Sequence, residues 1–252
     1  AQEGNAYFNF LASHDGIGLR PVEGKLDSTE LYRLINKMRE LGGRISYKTS
    51  QWGEEIPYEI NITYLDSLKS TFNGEEKFQI KRFICAHAIM FAMEGIPAIY
   101  IHSFLGTKND YKAIAAGEDN RSINRFKWDK KDIYKILEDK NSNNFYIMSK
   151  LNSLLNIRSK QPAFHPNATQ FTLNLGDEVF GLWRQDKKRK QSIFSIYNVT
   201  SKSVKLSLQK INLIETEKWI DLISGEALKD IDDDILLKPY QSLWISNYNS
   251  EK

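Results

Sequence analysis

Phe8-Asn9-Phe10-Leu11-Ala12-Ser13-His14-Asp15-Gly16-Ile17-Gly18-Leu19-Arg20-Pro21 is the stretch on which the reading of this chain turns. Its apolar head, Tyr7 to Ser13, reads as a buried strand that delivers a histidine and an aspartate at its C-terminal end, before a glycine-containing loop. Beyond it, Asp27 or Ser28 is placed to cap a helix that runs through Leu41 and stops at Gly42-Gly43. Polar residues and Pro57 make Tyr47 to Tyr58 loop-like, and a short helix fits Ile62 to Leu68. A long helix follows, about Glu75 to Met93, with Ile80, Phe83, Ile84, His87 and Phe91 at helical spacing. Gly95 and Pro97 end it, and Ala98 to His102 reads as a second buried strand. Lys131 to Asp139 and Tyr146 to Ser159 complete the helical material. Strand, helix, strand, helix in this order indicates parallel βα units.

From Phe164 the pattern changes to short alternating segments: Phe171–Leu175, Val179–Arg184, Ser192–Tyr197, Val204–Leu208, Lys218–Ile223 and Leu243–Ser246. Turn-like Gly176-Asp177, Asp186-Lys187 and Ser224-Gly225 separate them, as in an antiparallel β-sandwich. The fold class expected is α/β followed by all-β, with the first domain over residues 1–162 and the second over 163–252. Two βα units cannot close a sheet, and their strands would leave unpaired apolar edges. The missing strands are expected from another segment or another chain.

The 252 residues are 41% apolar and 12% aromatic, which suits a soluble packed protein. No apolar run approaches the roughly 18 residues of a membrane span, and Ala1 to Asn5 opens no signal peptide. The lack of an initiator methionine and the early strand pattern read as a fragment or processed product. A net charge of +3 is small, and the basic run Lys187 to Lys190 lies between two strand-like segments, so a solvated hairpin turn is favoured over a nucleic-acid site. The one cysteine, Cys85, falls in an apolar helix and reads as a buried structural thiol; without an intramolecular disulfide, a cytoplasmic location is the default. The sequons at Asn61, Asn167 and Asn198 then read as chance.

A carboxylate at the C-terminal end of a buried strand invites a functional explanation, because in a β/α barrel that end faces the active site. On spacing alone, however, a turn-capping Asp15 with His14 satisfied in the core is the favoured reading. Asp232-Asp233-Asp234 lacks further oxygen ligands at a calcium-binding spacing and reads as a solvated turn. Trp183, Trp219 and Trp244 alternate within strand-like segments, which favours core over a sugar platform.

Several motifs in order then change the balance. Phe8 to Pro21 resembles the fourth conserved region of the α-amylase superfamily, glycoside hydrolase family 13, at the seventh barrel strand. It is especially similar to the sucrose phosphorylase and glucosylglycerate phosphorylase group. The resemblance continues through Pro57-Tyr58-Glu59-Ile60-Asn61, Gly95-Ile96-Pro97-Ala98-Ile99-Tyr100 at the eighth strand, and Phe104-Leu105-Gly106-Thr107-Lys108-Asn109-Asp110. It extends to Arg121-Ser122-Ile123-Asn124-Arg125, Asp221-Leu222-Ile223-Ser224-Gly225 and Pro239-Tyr240-Gln241. The resemblance implies the last βα units, strands seven and eight, of a TIM-type (β/α)8 barrel followed by an antiparallel C-terminal β-domain. It implies part of a retaining enzyme that transfers an α-glucosyl group to inorganic phosphate from sucrose, sucrose phosphate or glucosylglycerate. Phosphate is a co-substrate, and no cofactor or metal is implied. By the same resemblance Asp15 corresponds to the transition-state stabiliser, while His14 and Arg121 correspond to groups that bind the glucosyl unit. Tyr58 and Glu59 fall in the loop that shapes the acceptor and phosphate site, with Glu59 where sucrose phosphorylases commonly carry Gln. The nucleophile and general acid of the family lie on earlier strands, so this chain alone is expected to be inactive. Its expected partners are an α-glucoside, phosphate, and the missing N-terminal barrel half or a second copy, with neither nucleic acid nor membrane. A hydrolase fragment of the same family and a non-catalytic carbohydrate-binding module remain alternatives.

Overall fold

The computed structural model describes residues 4–74, 77–211, 213, 218–228, 230 and 233–247. Its strands are β1 (Phe8–Asn9), β2 (Ile17–Gly18), β3 (Arg44–Thr49), β4 (Glu55–Asn61), β5 (Ile96–Pro97), β6 (Thr169–Leu173), β7 (Val179–Gln185), β8 (Ser192–Asn198), β9 (Val204–Ser207), β10 (Ile220–Asp221), β11 (Asp234–Leu237) and β12 (Ser242–Ser246). The helices are α1 (Ser28–Glu40), α2 (Tyr64–Ser67), α3 (Gln79–Ala92), α4 (Ile101–Phe104), α5 (Tyr111–Ala115), α6 (Lys130–Glu138) and α7 (Asn143–Ser159). Two compact units result, one of Ala1–Asn9, Ile84–Ala98 and Lys150–Lys252, the other of Phe10–Phe83 and Ile99–Ser149. Among the described residues no helix is long and apolar enough to cross a membrane.

The first unit is built on an antiparallel five-stranded sheet in the order β10-β12-β8-β7-β6, with a β9–β11 ribbon. Sheet and ribbon share one core, in which Val179, Phe194, Ile196 and Ile245 meet Leu206 and Leu237. That is the sandwich expected from the alternation, although β11 was not read from its acidic-to-apolar sequence. Trp219 and Trp244 are buried and Trp183 packs between Phe171 and Phe194, which makes these indoles core. The basic run does form the β7–β8 turn, where the Asp186 carboxylate accepts from the backbone N–H groups of Lys188, Lys190 and Gln191. Asp232 lies outside the described residues, while Asp234 pairs with Lys205 at 2.6 Å. Among the described residues no acidic or histidine cluster could hold a metal ion.

β8 is buried on both faces: Phe194 and Ile196 point into the sandwich, and the Tyr197 hydroxyl on the other side donates to the Ala88 carbonyl of α3 at 3.0 Å. The free carbonyls at the end of α3 are met by two arginines. Arg158 donates to Phe91 O at 2.7 Å and Gly95 O at 3.1 Å, and fully buried Arg184 donates to Ala92 O at 2.6 Å. Cations there also favour the negative end of the helix dipole. Burial first, then repulsion from Arg158, pulls the Arg184 guanidinium down to about 10. Cys85 is buried in α3, and burial pushes its thiol up to about 11, the inert state expected for it.

β1 and β5 run parallel, Phe8 beside Ile96 and Asn9 beside Pro97, the orientation the sequence suggested. Both elements nevertheless correct the expected buried strands. The expected Tyr7–Ser13 strand shrinks to two residues, and Tyr7, Phe8 and Ile96 are exposed, because among the described residues each strand has a single neighbour. After Pro97 only Ala98 N–H continues the ladder, to Asn9 O at 2.8 Å. The expected Ala98–His102 strand instead turns into α4.

In the second unit, α1 starts and stops where the sequence places its signals. The Asp27 side chain accepts from Glu30 N at 2.8 Å and the Glu30 carboxylate accepts from Asp27 N at 3.0 Å, a reciprocal capping box. At the other end Gly42, at φ +89°, sends its N–H to Arg39 O while Gly43 N–H reaches Met38 O, a Schellman closure. The apolar face of α1, with Ile35 and Met38, packs on Ile45, Ile60 and Ile62. Ile45 and Ile60 belong to a three-stranded sheet in the order β2-β4-β3, and Ile62 follows its β4; the sheet corrects the loop expected over Tyr47–Tyr58. Pro57 misled that reading. It pairs with Tyr47 next to a register shift, where β4 has β3 but not β2 as neighbour, so its missing N–H breaks no ladder there. Replacing Arg184 by Met should leave four carbonyls short of a donor, those of Ala92 and Ala168 in buried bonds, and destabilise the first unit by about 3 kcal/mol. Urea unfolding followed by tryptophan fluorescence would show it; an unchanged midpoint would mean that the helix end holds without this side chain.

Candidate active site

Ser13-His14-Asp15-Gly16 closes on itself: Ser13 N–H donates to Gly16 O at 2.9 Å and Gly16 N–H returns to Ser13 O at 3.1 Å. Asp15 thus sits in a tight turn ahead of β2. Gly16 has φ +105°, and a Cβ there would run into the Ile60 carbonyl oxygen of β4, so both conformation and space require glycine. Side chains from elsewhere in the unit hold the turn by its carbonyls. Asn61 Nδ2 donates to Asp15 O at 2.8 Å, Arg125 Nε to His14 O at 2.8 Å, and Asn124 Nδ2 to Ser13 O and His14 O at 3.1 Å each.

Arg121, Asn124 and Arg125 come from one 3-10 turn, Asn120–Asn124, and the residue after it. The Asp119 carboxylate starts that turn by accepting from Arg121 N and Ser122 N. The Tyr100 hydroxyl finishes it with a 3.0 Å bond to Asn124 O, and burial pushes the Tyr100 phenol up, which keeps it a donor.

Three cationic or potentially cationic groups converge on a single oxygen of Asp15. Its Oδ1 lies 3.2 Å from Arg121 Nη1, 3.1 Å from Arg125 Nη2 and 3.3 Å from His14 Nε2. The side chain of Asp15 is 31% exposed and that of His14 66%, so this face of the cluster is open. Behind it, Glu59 grips Arg121 with both oxygens, Nε to Oε2 at 3.0 Å and Nη2 to Oε1 at 2.7 Å. Nη2 also donates to the Tyr58 hydroxyl at 3.0 Å. The bond to Glu59, with the negative field of Glu59 and Asp15, holds the Arg121 guanidinium above the ordinary arginine range. Glu59 itself is 7% exposed, and Asn61 Nδ2 approaches its Oε2 at 3.4 Å. Asn61 is oriented in turn by Ser46, whose hydroxyl donates to its Oδ1 at 2.7 Å.

The five residues singled out in the sequence, His14, Asp15, Tyr58, Glu59 and Arg121, therefore form one connected cluster. Glu59 faces inward onto Arg121 rather than outward. Asn61, Asn124 and Arg125 belong to the same network and were not singled out. Arg125, four residues after Arg121 in the quoted motif, carried the one sequence signal available, since a short helical turn brings i and i+4 to one side. Chemically, two carboxylates balance two guanidiniums, and among the described residues the second oxygen of Asp15 accepts no hydrogen bond. Such a group can accept hydroxyls or face a developing positive charge.

Gly16→Ala should lower stability by about 2 kcal/mol or more and disperse the signals of the Asp15 turn. Gly18→Ala, where a Cβ meets nothing within 4 Å, should be close to neutral. Thermal melts of the two variants side by side decide this, and equal melting temperatures would contradict the constraint.

No protein-family model matches the chain. It is 35% identical over 240 residues to a glucosylglycerate phosphorylase of Escherichia coli strain K12, which covers 95% of this chain and 41% of that protein. A glucosylglycerate phosphorylase of Allomeiothermus silvanus is 36% identical over 244 residues, 96% of this chain and 41% of its own. Among solved structures, a sucrose 6F-phosphate phosphorylase from Thermoanaerobacter thermosaccharolyticum aligns with a TM-score of 0.56 at 21% identity, over 91% of this chain and 41% of that one, a likeness of fold. The chain thus spans about two fifths of the length of the relatives it matches.

Proposed function

Because this chain is homologous to part of the glucosylglycerate and sucrose phosphorylases of glycoside hydrolase family 13, we propose that it supplies one portion of a retaining α-glucosyl-transferring active site. The observation that carries the reading is the partly exposed Asp15 carboxylate, held at Oδ1 by Arg121, Arg125 and His14. Asp15 is the transition-state stabiliser: its free oxygen accepts sugar hydroxyls while the ring flattens toward an oxocarbenium ion. His14, mostly exposed beside it, donates to the same sugar. Arg121 presents the N–H left free by Glu59, Tyr58 and Asp15, since a guanidinium has five. Glu59 acts through Arg121: its near-complete burial and double bond to the guanidinium support a holding role behind the acceptor loop. Tyr58 and Arg121 then border the acceptor and phosphate side.

The reaction proposed is phosphorolysis. The bond between the glucosyl C1 and the acceptor oxygen breaks, that oxygen takes a proton, and C1 passes through a covalent enzyme intermediate to a phosphate oxygen. Glycerate is the acceptor favoured, supported by the two glucosylglycerate phosphorylases at 35% and 36% identity. Inorganic phosphate is the co-substrate, with no cofactor. The nucleophile and the general acid come from outside this chain. In this reading residues 1–162 contribute the last βα units of a (β/α)8 barrel, and residues 163–252 form the C-terminal β-domain. The exposed apolar residues of the two-stranded β1–β5 pair support docking of further strands.

The isolated chain should release no glucose 1-phosphate from glucosylglycerate. Mixing it with a separately produced segment that spans the remaining length of a homologous phosphorylase should restore release. In the mixture Asp15→Asn should lower kcat by about three orders of magnitude, with a smaller change in KM. Reproducible turnover by the purified chain alone, or full activity of the Asp15→Asn mixture, would overturn the assignment.

A further inference from the structure

The second unit contains a cavity of about 370 Å³ that none of the Asp15 cluster lines. Phe126 and Trp128 give it an aromatic wall, with ring centroids 4.8 Å apart at 71°. Lys108, Gln79 and the residues that open α7, Asn143 and Asn144, also line it. The volume lies at the small end of the range for ligand pockets, about 300–1,000 Å³, and suits one sugar ring rather than a nucleotide or a peptide.

The wall is fixed in advance. Trp128 Nε1 donates to Thr107 Oγ1 at 3.0 Å, and Thr107 Oγ1 lies 3.2 Å from His102 Nδ1. Burial holds the His102 imidazole below the ordinary histidine range, so the ring that anchors Thr107 is neutral while the threonine oxygen accepts from the indole. The amides are half committed. Gln79 Nε2 donates to Leu65 O at 2.9 Å, and Asn144 Nδ2 donates to Leu105 O at 2.7 Å and Gly106 O at 3.1 Å. Their carbonyl oxygens have no donor among the described residues, and neither Lys108 nor the Asn143 amide has a side-chain partner there. A fixed aromatic pair, two amide carbonyls without a donor among the described residues, and the free donors of Lys108 and Asn143 in one lining match the two chemistries of a pyranose, an apolar C–H face and a ring of hydroxyls.

We infer that this cavity is a second, non-catalytic binding site for a single neutral hexose unit, separate from the Asp15 cluster. Phe126 follows Arg125 directly in the chain, so the wall of the cavity and one cation on Asp15 share a loop. The site does not depend on the phosphorylase reading, and the test separates the two.

The intact chain, labelled with 15N, is titrated with D-glucose while the Trp128 indole N–H signal is followed, with glycerol as a polyol too small to cover the wall. Glucose should shift the signal saturably, with a dissociation constant of about millimolar order, and glycerol should not. Asp15→Asn should leave that affinity within about twofold, while Asn143→Phe should weaken it by about tenfold or more. Lys108→Trp is a second blocking variant, and both positions are exposed, so the backbone spectrum serves as the folding control. Absence of a saturable shift, an undiminished response in both blocked variants, or loss of the response in Asp15→Asn would each overturn the inference.

Discussion

The double bond between Arg121 and Glu59 is the constraint on which the rest of the cluster depends. An arginine side chain is long and rotamer-rich, and a single contact to Asp15 would not fix it. Glu59 takes Nε and Nη2 together, which leaves the guanidinium plane one orientation and turns Nη1 toward Asp15. Glu59 can do this because β4 lies between β2 and β3, with Gly18 and Ser46 beside it, so its carboxylate is walled in and needs a cation. The electrostatics and the sheet are therefore one arrangement: α1 seats the sheet, the sheet buries Glu59, and Glu59 aims Arg121.

The turn that carries Asp15 is held from two sides. From the sheet, Asn61 takes the Asp15 carbonyl; from the 119–125 loop, Asn124 and Arg125 take the carbonyls of Ser13 and His14. Both sides act on backbone atoms, so the turn keeps its shape whatever the Asp15 side chain does. This is why Asp15→Asn is a clean test of charge. In the other unit an equivalent logic holds a helix end, since Arg158 and Arg184 satisfy the carbonyls at and after the end of α3.

What could be read from the chain follows the range of the forces involved. α1 is set by residues within one turn of each end, Asp27 with Glu30 and Gly42 with Gly43, and it appears where those signals place it. The strands of the sandwich other than β11 follow from alternation, a local pattern. The β3–β4 hairpin was hidden because Pro57 is a breaker in most strands and is accommodated here only by a register shift that local sequence does not disclose. The expected strands at Tyr7 and Ala98 fail for a different reason: strand length is set by neighbours, and each has one among the described residues. Within the site, Asp15, His14, Arg121, Tyr58 and Glu59 were legible through resemblance. The inward turn of Glu59 onto Arg121 and the hold of Asn61 and Arg125 on the Asp15 turn were not, because they depend on contacts between residues 46 to 111 positions apart.

The central claim is that Glu59 fixes the Arg121 guanidinium, and the exchange of the Arg121 side-chain N–H protons with water measures it directly. In the intact chain the Nε–H and the paired Nη–H signals should be resolved and slow to exchange. Glu59→Gln should collapse them into the averaged, fast-exchanging signals of a mobile arginine, while Asp15→Asn should leave the Nε–H protected. Fast exchange of Arg121 in the unaltered chain, or unchanged protection in Glu59→Gln, would contradict the account.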